Sequence, residues 1–153
     1  MKKENLIEEI EIELELISRV VQETNQLKER AATEDPEMLI KAAAGAFLMN
    51  FYNGVENLLK RIHKIQNVVM PKGESWHNEM FQRFCNPPFE NLPLFFEAEV
   101  EKELIQYKKF RHLFIHGYGF QLEWHLMKEG VDNMSWVFEK IKANVNSFLS
   151  AIR

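Results

Sequence analysis

Apolar side chains recur at intervals of three and four along nearly the whole chain, and no stretch alternates apolar with polar residues long enough to make a strand. Near the N-terminus Ile7, Ile10, Leu14, Ile17 and Val21 share one stripe of a helix, and Ile12, Leu16 and Val20 widen it toward a second neighbour. A second stripe runs through Leu39, Ala43, Phe47, Phe51, Val55, Leu58, Ile62 and Ile65. Its small residues, Ala42 to Ala46 with Gly45 among them, would let another helix come close. Phe96, Val100, Leu104, Tyr107 and Arg111 mark a later helix, and Trp136, Ile141, Val145, Phe148 and Ile152 the last. A chain patterned this way has one class of solution: all-α, an antiparallel bundle of four main helices with short additional ones.

The helix breakers fall between these stripes. The first helix is expected to fade near Thr33-Glu34-Asp35-Pro36, with Pro36 in the first turn of the next, and Pro71-Lys72-Gly73 lies beyond the second. Residues 74–84 read as a short helix with Ser75 as its cap. Three prolines among residues 87–93 make a loop, after which the fourth helix is expected from about Pro93 to Gly117 and Gly119. A short helical stretch around Leu122–Met127 then precedes Gly130 and Asp132, expected to introduce the last helix. Without repeats or low-complexity segments, 153 residues are expected to form a single domain, 1–153.

Hydrophobic residues at 46% and charged residues at 27% exclude a disordered chain. The longest apolar runs are far short of the roughly 20 residues that span a bilayer. Met1-Lys2-Lys3-Glu4 leads into a Glu-rich stretch rather than an apolar signal, and the lone Cys85 cannot form an internal disulfide, so a cytoplasmic protein is expected. The net charge of -4 is unevenly spread: residues 1–40 hold 5 Lys/Arg against 11 Asp/Glu, the remainder 14 against 12. Positive charge gathers in Lys60-Arg61-Ile62-His63-Lys64 and in Lys108-Lys109-Phe110-Arg111-His112, each either a solvated face or a contact for a phosphate backbone. Glu4, Glu8, Glu11 and Glu15 line one edge of the first helix, a solvated face or a contact for a basic protein.

The segment richest in chemistry is Arg111-His112-Leu113-Phe114-Ile115-His116-Gly117-Tyr118. Positions five apart on a regular helix lie about 140° apart, so Arg111 and His116 do not share a face. Either the helix loosens at the glycines, or the pair is completed across a two-fold axis by a second copy. These side chains suit RNA cleavage without a metal. A neutral imidazole takes the proton of a 2′-hydroxyl, and a forked guanidinium holds the phosphate as charge builds on it. His112 and His116 are also four apart, the spacing of two ligands to one metal, with a third to come from His125, His63, His77 or a distant carboxylate. His63 otherwise reads as a surface residue, and Trp76-His77 and Trp124-His125 as packing or interface residues.

Arg111, the polar His112, and His116 after three further residues resemble the signature of HEPN ribonucleases, and His116-x-Tyr118 resembles HepT, the toxin of HepT/MNT toxin–antitoxin systems. Phe51-Tyr52-Asn53-Gly54-Val55-Glu56-Asn57 is similar to the HEPN segment whose acidic residue faces the catalytic helix. The resemblance covers about residues 40–120. It implies a HEPN-type bundle and a homodimer with a composite cleft. Arg111 and His116 would be catalytic and His112 would assist, with the acidic Glu56 on the facing helix; separately, the charge cluster makes Lys108 and Lys109 candidates for contact with RNA. The resemblance further implies an MNT-type nucleotidyltransferase antitoxin that adds AMP to Tyr118, and no cofactor. Two features depart from the pattern: Gly117 is a flexible filler inside the motif, and residues 70–93 form a longer aromatic and proline-rich excursion. A non-catalytic HEPN adaptor that binds RNA, a nucleotide or a nucleotidyltransferase is the alternative.

Overall fold

The structure, a computed structural model, describes residues 2–31, 35–118 and 121–153. It contains helices α1 (Lys3–Arg30), α2 (Met38–Ile65), α3 (Trp76–Gln82), α4 (Ala98–His116) and α5 (Trp124–Ile152), with no strand among the described residues. Thr33, Glu34 and Gly119, expected to mark two helix ends, lie outside the described residues.

Cross-helix contacts give the directions. Along α1 and α2, Ile17 meets Gly54 and Glu13 meets Arg61, so one helix number falls as the other rises. The same holds for α2 with α4 (Gly45 on Phe114, Glu56 on Arg111) and for α4 with α5 (Tyr107 on Gly130, Glu99 on Lys140). Ser135 on Asn25 and Arg153 on Glu11 close α5 onto α1, again antiparallel. The core between them includes Ile10, Ile17, Leu48, Phe51, Leu58, Ile62, Leu104, Val131 and Ile141, all nearly inaccessible. Gly45 and Gly54 set the close approaches of α2: a Cβ at Gly45 would stand 2.7 Å from the Phe114 ring, and one at Gly54 2.6 Å from Ile17. The small-residue patch of α2 therefore does receive a helix, α4.

Several boundaries and burials differ from the sequence reading. Ile12, Leu16 and Leu39 are exposed. The stripe of α1 reaches its second neighbour, α5, through the narrower Ile7-to-Val21 set, leaving Ile12 and Leu16 on the outer side. α4 begins at Ala98 rather than near Pro93. The preceding segment runs non-helical and buries Phe95 and Phe96 together, which successive helical positions about 100° apart would oppose. Both their backbone N–H groups donate to the Phe84 carbonyl, and the rings join Phe81, Phe84 and Phe148 in an aromatic cluster. Gly130 does not begin a helix, because α5 runs through it unbroken from Trp124. The glycine is used for proximity instead: Leu48 and Tyr107 pack against it, and the Tyr107 hydroxyl donates to its carbonyl. Ser75 occupies the N-cap of α3, but its side chain makes no cap hydrogen bond.

His63 is not a surface residue. It is buried, with Nδ1–H donating to the Leu59 carbonyl at 2.8 Å while Nε2 accepts from Arg83 at 3.1 Å. Burial holds its pKa below the usual imidazole value, which suits this neutral form. Arg61 turns to Glu13 and Glu9 of α1. Within the basic run 60–64, Arg61 and His63 are thus absorbed by the fold, whereas Lys60 and Lys64 stay exposed.

Candidate active site

On α4 the buried stripe of Val100, Leu104, Tyr107 and Phe110 leaves Arg111 at its edge, half-buried and facing α2. On α2, Tyr52 and Asn53 precede Glu56 by four and three positions, so each neighbours it on the side that receives Arg111. Arg111 Nη1 donates to Asn53 Oδ1 at 2.8 Å and to Glu56 Oε1 at 2.7 Å, and Nη2 donates to Glu56 Oε2 at 3.3 Å. The guanidinium lies 4.7 Å from the centroid of the Tyr52 ring, a cation–π contact from below. Tyr52 is itself a neutral phenol, its pKa raised by burial and then by the Glu56 charge.

This clamp uses three of the five guanidinium N–H donors. By the donor inventory Nε–H and the second Nη2–H remain, and no described residue engages them. Glu56 is buried and accepts a further contact: His77 Nδ1 of α3 lies 3.2 Å from Oε2. One carboxylate thus ties α2, α3 and α4 together. The His77 ring stacks on Trp76 with centroids 3.5 Å apart, and Lys60 Nζ stands 5.3 Å from the Trp76 ring.

Arg111 borders a cavity of about 930 Å³ that His112, His116, Lys108, Lys109, Asn53 and His77 also line. α4 stays helical through His116, so the helix does not loosen before the histidine, and its C-cap is Gly117 in an extended conformation. Arg111 turns inward to α2, whereas His112 and His116, one helical turn apart, stand exposed with ring centroids 4.5 Å apart. The cavity reaches all three side chains without one helical face having to carry them. Lys108 is half-buried, and burial lowers its pKa, an effect opposed by Glu56 and reinforced by Arg111. Lys109 is exposed at the rim. Tyr118 is exposed, and its backbone N–H donates to Gln121 Oε1 at 3.0 Å.

Among the described residues no three of His, Cys, Asp or Glu are grouped to hold a metal ion. The third ligands considered from sequence are engaged otherwise: His63 with Leu59 and Arg83, His77 with Glu56, and His125 near Glu123 at 3.6 Å. Cys85 is buried, and desolvation pushes its thiol up to about 12, which suits packing rather than nucleophilic attack.

Sequence reasoning set aside one residue of this cavity. His77 reads as a packing residue in the primary structure, and only the return of α3 onto α2 brings it to Glu56. Asn53 falls within the α2 segment that resembles the HEPN pattern, but the resemblance gives it no role. Its three-residue offset from Glu56 was the available signal, since that spacing puts both on the face opposite α4.

No helix of the described residues is long and apolar enough to cross a membrane. Comparison with curated proteins and with solved structures finds no match. A family model described as HepT-like protein matches residues 43–152, which is all of the bundle except α1 and the start of α2, and includes Glu56, Arg111, His112, His116 and Tyr118. With its all-helical architecture and most of its length matched, this chain belongs to the HepT-like protein family.

Proposed function

We propose that this chain is an RNA-cleaving toxin, a metal-independent endoribonuclease that works as a homodimer and is silenced by a nucleotidyltransferase antitoxin. One observation carries the reading. A guanidinium clamped by Asn53 and Glu56, with two donors left over, borders the same cavity as two exposed imidazoles. His116 takes the proton of a 2′-hydroxyl, whose oxygen attacks the adjacent phosphorus. Arg111 donates to the non-bridging oxygens as their charge grows, and because its plane is already fixed little reorganisation accompanies the step. His112 stands beside His116, and Lys108 and Lys109 hold neighbouring phosphates.

The test is cleavage of RNA by purified protein in EDTA. Arg111→Ala and His116→Ala should each lower the rate by about 100-fold or more, the scale of one lost transition-state donor or one lost base. Undiminished cleavage by both variants rejects the assignment. Tyr118, exposed close to the two histidines in sequence, is the proposed site of AMP addition. A phosphodiester there would compete for the donors that hold RNA phosphate. In the same assay, protein co-expressed with the partner nucleotidyltransferase should carry added AMP mass and be inactive. Tyr118→Phe should escape both effects, and its equal silencing would mean that the antitoxin masks the cleft instead.

The ion pair between Arg111 and Glu56 favours a second reading, a non-catalytic adaptor in which Arg111 only holds the helices together. In that case RNA binding would persist, with no cleavage in any form of the protein.

A further inference from the structure

The cleavage step has a base and a phosphate clamp, but a 5′-oxygen leaving from phosphorus also needs a proton. Entering and leaving oxygens lie roughly in line at phosphorus, so base and acid stand on different sides of it. His112 sits on the same helix as His116, one turn away, and flanks the base. His77 reaches the cavity from a separate element, α3, and with its side chain 42% exposed it is open to a ligand. Its ring is held twice, by the stack on Trp76 and by Nδ1 on Glu56. A carboxylate that accepts from Nδ1–H fixes the ring's orientation and leaves Nε2 as the ring position that can carry a transferable proton.

Resting on the ribonuclease reading, we infer that His77 is the general acid of the reaction, held by Glu56 and presenting Nε2–H to the leaving 5′-oxygen. The 2′-O–H proton passes to His116, the O2′–P bond forms and the P–O5′ bond breaks. The His77 Nε2 proton passes to O5′, giving a 2′,3′-cyclic phosphate and a 5′-hydroxyl. His77 then holds only its Nδ1 proton, on the Glu56 side, and exchange with water restores both histidines. Glu56 serves both catalytic cations, since the oxygen that receives His77 also accepts from Arg111 Nη2.

A substrate with sulfur in place of the bridging 5′-oxygen distinguishes this role, because a thiolate leaves without protonation. Cleavage of ordinary RNA and of this 5′-thio RNA would be measured for the unsubstituted protein and for His77→Ala, His77→Gln, His112→Gln and His116→Ala, with circular dichroism to verify folding. His77→Gln keeps an N–H able to reach Glu56 but has no acid to offer. Both His77 variants should cut ordinary RNA about 100-fold or more slowly and the 5′-thio RNA at close to the unsubstituted rate, the signature of a lost acid. His116→Ala should be slow on both. The inference is overturned if the His77 variants cut ordinary RNA normally or if the 5′-thio substrate rescues His112→Gln instead. It is overturned equally if His77→Ala is slow on both substrates while His77→Gln is restored on both, which makes His77 a positioning residue for Glu56 and Arg111. His77 variants slow on both without that restoration also reject the acid role. Unsubstituted protein that cuts neither substrate removes the ribonuclease reading itself, and the inference with it.

Discussion

Glu56 is the residue on which the proposed chemistry turns, although it would touch no substrate. Its carboxylate is buried, accepts two hydrogen bonds from Arg111, and lies within reach of His77. Removing one partner of such a pair leaves the other charge without compensation, and the remaining access of Arg111 to solvent softens the loss. Glu56→Gln preserves the shape but offers an NH2 group where the guanidinium needs an acceptor. We expect it to lower stability by about 2 kcal/mol in urea unfolding, the scale of a hydrogen bond to a charged group. Cleavage should fall by about 100-fold through misplacement of Arg111. Normal cleavage by a folded Glu56→Gln would show that the clamp is structural only.

At the scale of elements, the site exists because helices come unusually close. Gly54 lets α1 lie directly on α2, with Ile17 almost fully buried in the contact. Gly54→Ala adds a methyl group at 2.6 Å from Ile17 Cγ1, where the side chain has no solvent to move into. The better helix propensity of alanine recovers up to about 1 kcal/mol, so a net loss of about 1–2 kcal/mol is expected by denaturant titration. A gain in stability would mean that the two helices separate freely. α3 has only seven residues and gains its position from Met80 and Phe81 in the core and from His77 on Glu56. The excursion over residues 70–93 therefore delivers a wall of the cavity.

For the whole molecule, charge and apolar surface are both unevenly spread. Acidic α1 lies on one side of α2, and α4, bearing Lys108, Lys109, Arg111 and the two histidines, lies against α2 as well. Around the end of α4, Leu113, Ile115 and Leu126 are each more than half exposed, and Leu113 and Leu126 line a common groove. Apolar side chains so placed beside the candidate cleft suit a two-fold contact in which each copy helps to enclose the other's site. Light scattering should give twice the chain mass, and Ile115→Glu should yield monomers with reduced cleavage. A monomeric parent that cuts RNA fully would remove the composite cleft and leave each site complete in one chain.

Periodicity alone determined the class of fold here, because a stripe of spacing three and four can be buried only by helices packing on helices. It also located α1, α2 and the body of α4, and residue type alone singled out the Arg111-to-Tyr118 segment as the candidate for chemistry. Other features are set by contacts remote in sequence. Gly130 looks like a helix start until Tyr107 and Leu48 are found against it. His63 looks solvent-facing until Arg83 and Leu59 enclose it. Phe96 fits the helical stripe of α4, yet burial beside Phe95 draws it into the segment before the helix. The pairing of Glu56 with Arg111 was legible as a resemblance, but its bidentate geometry and the arrival of His77 on the same carboxylate were not. Local spacing encodes which face of a helix a residue occupies. What stands opposite that face is decided by how the whole bundle minimises exposed apolar surface while satisfying each buried charge.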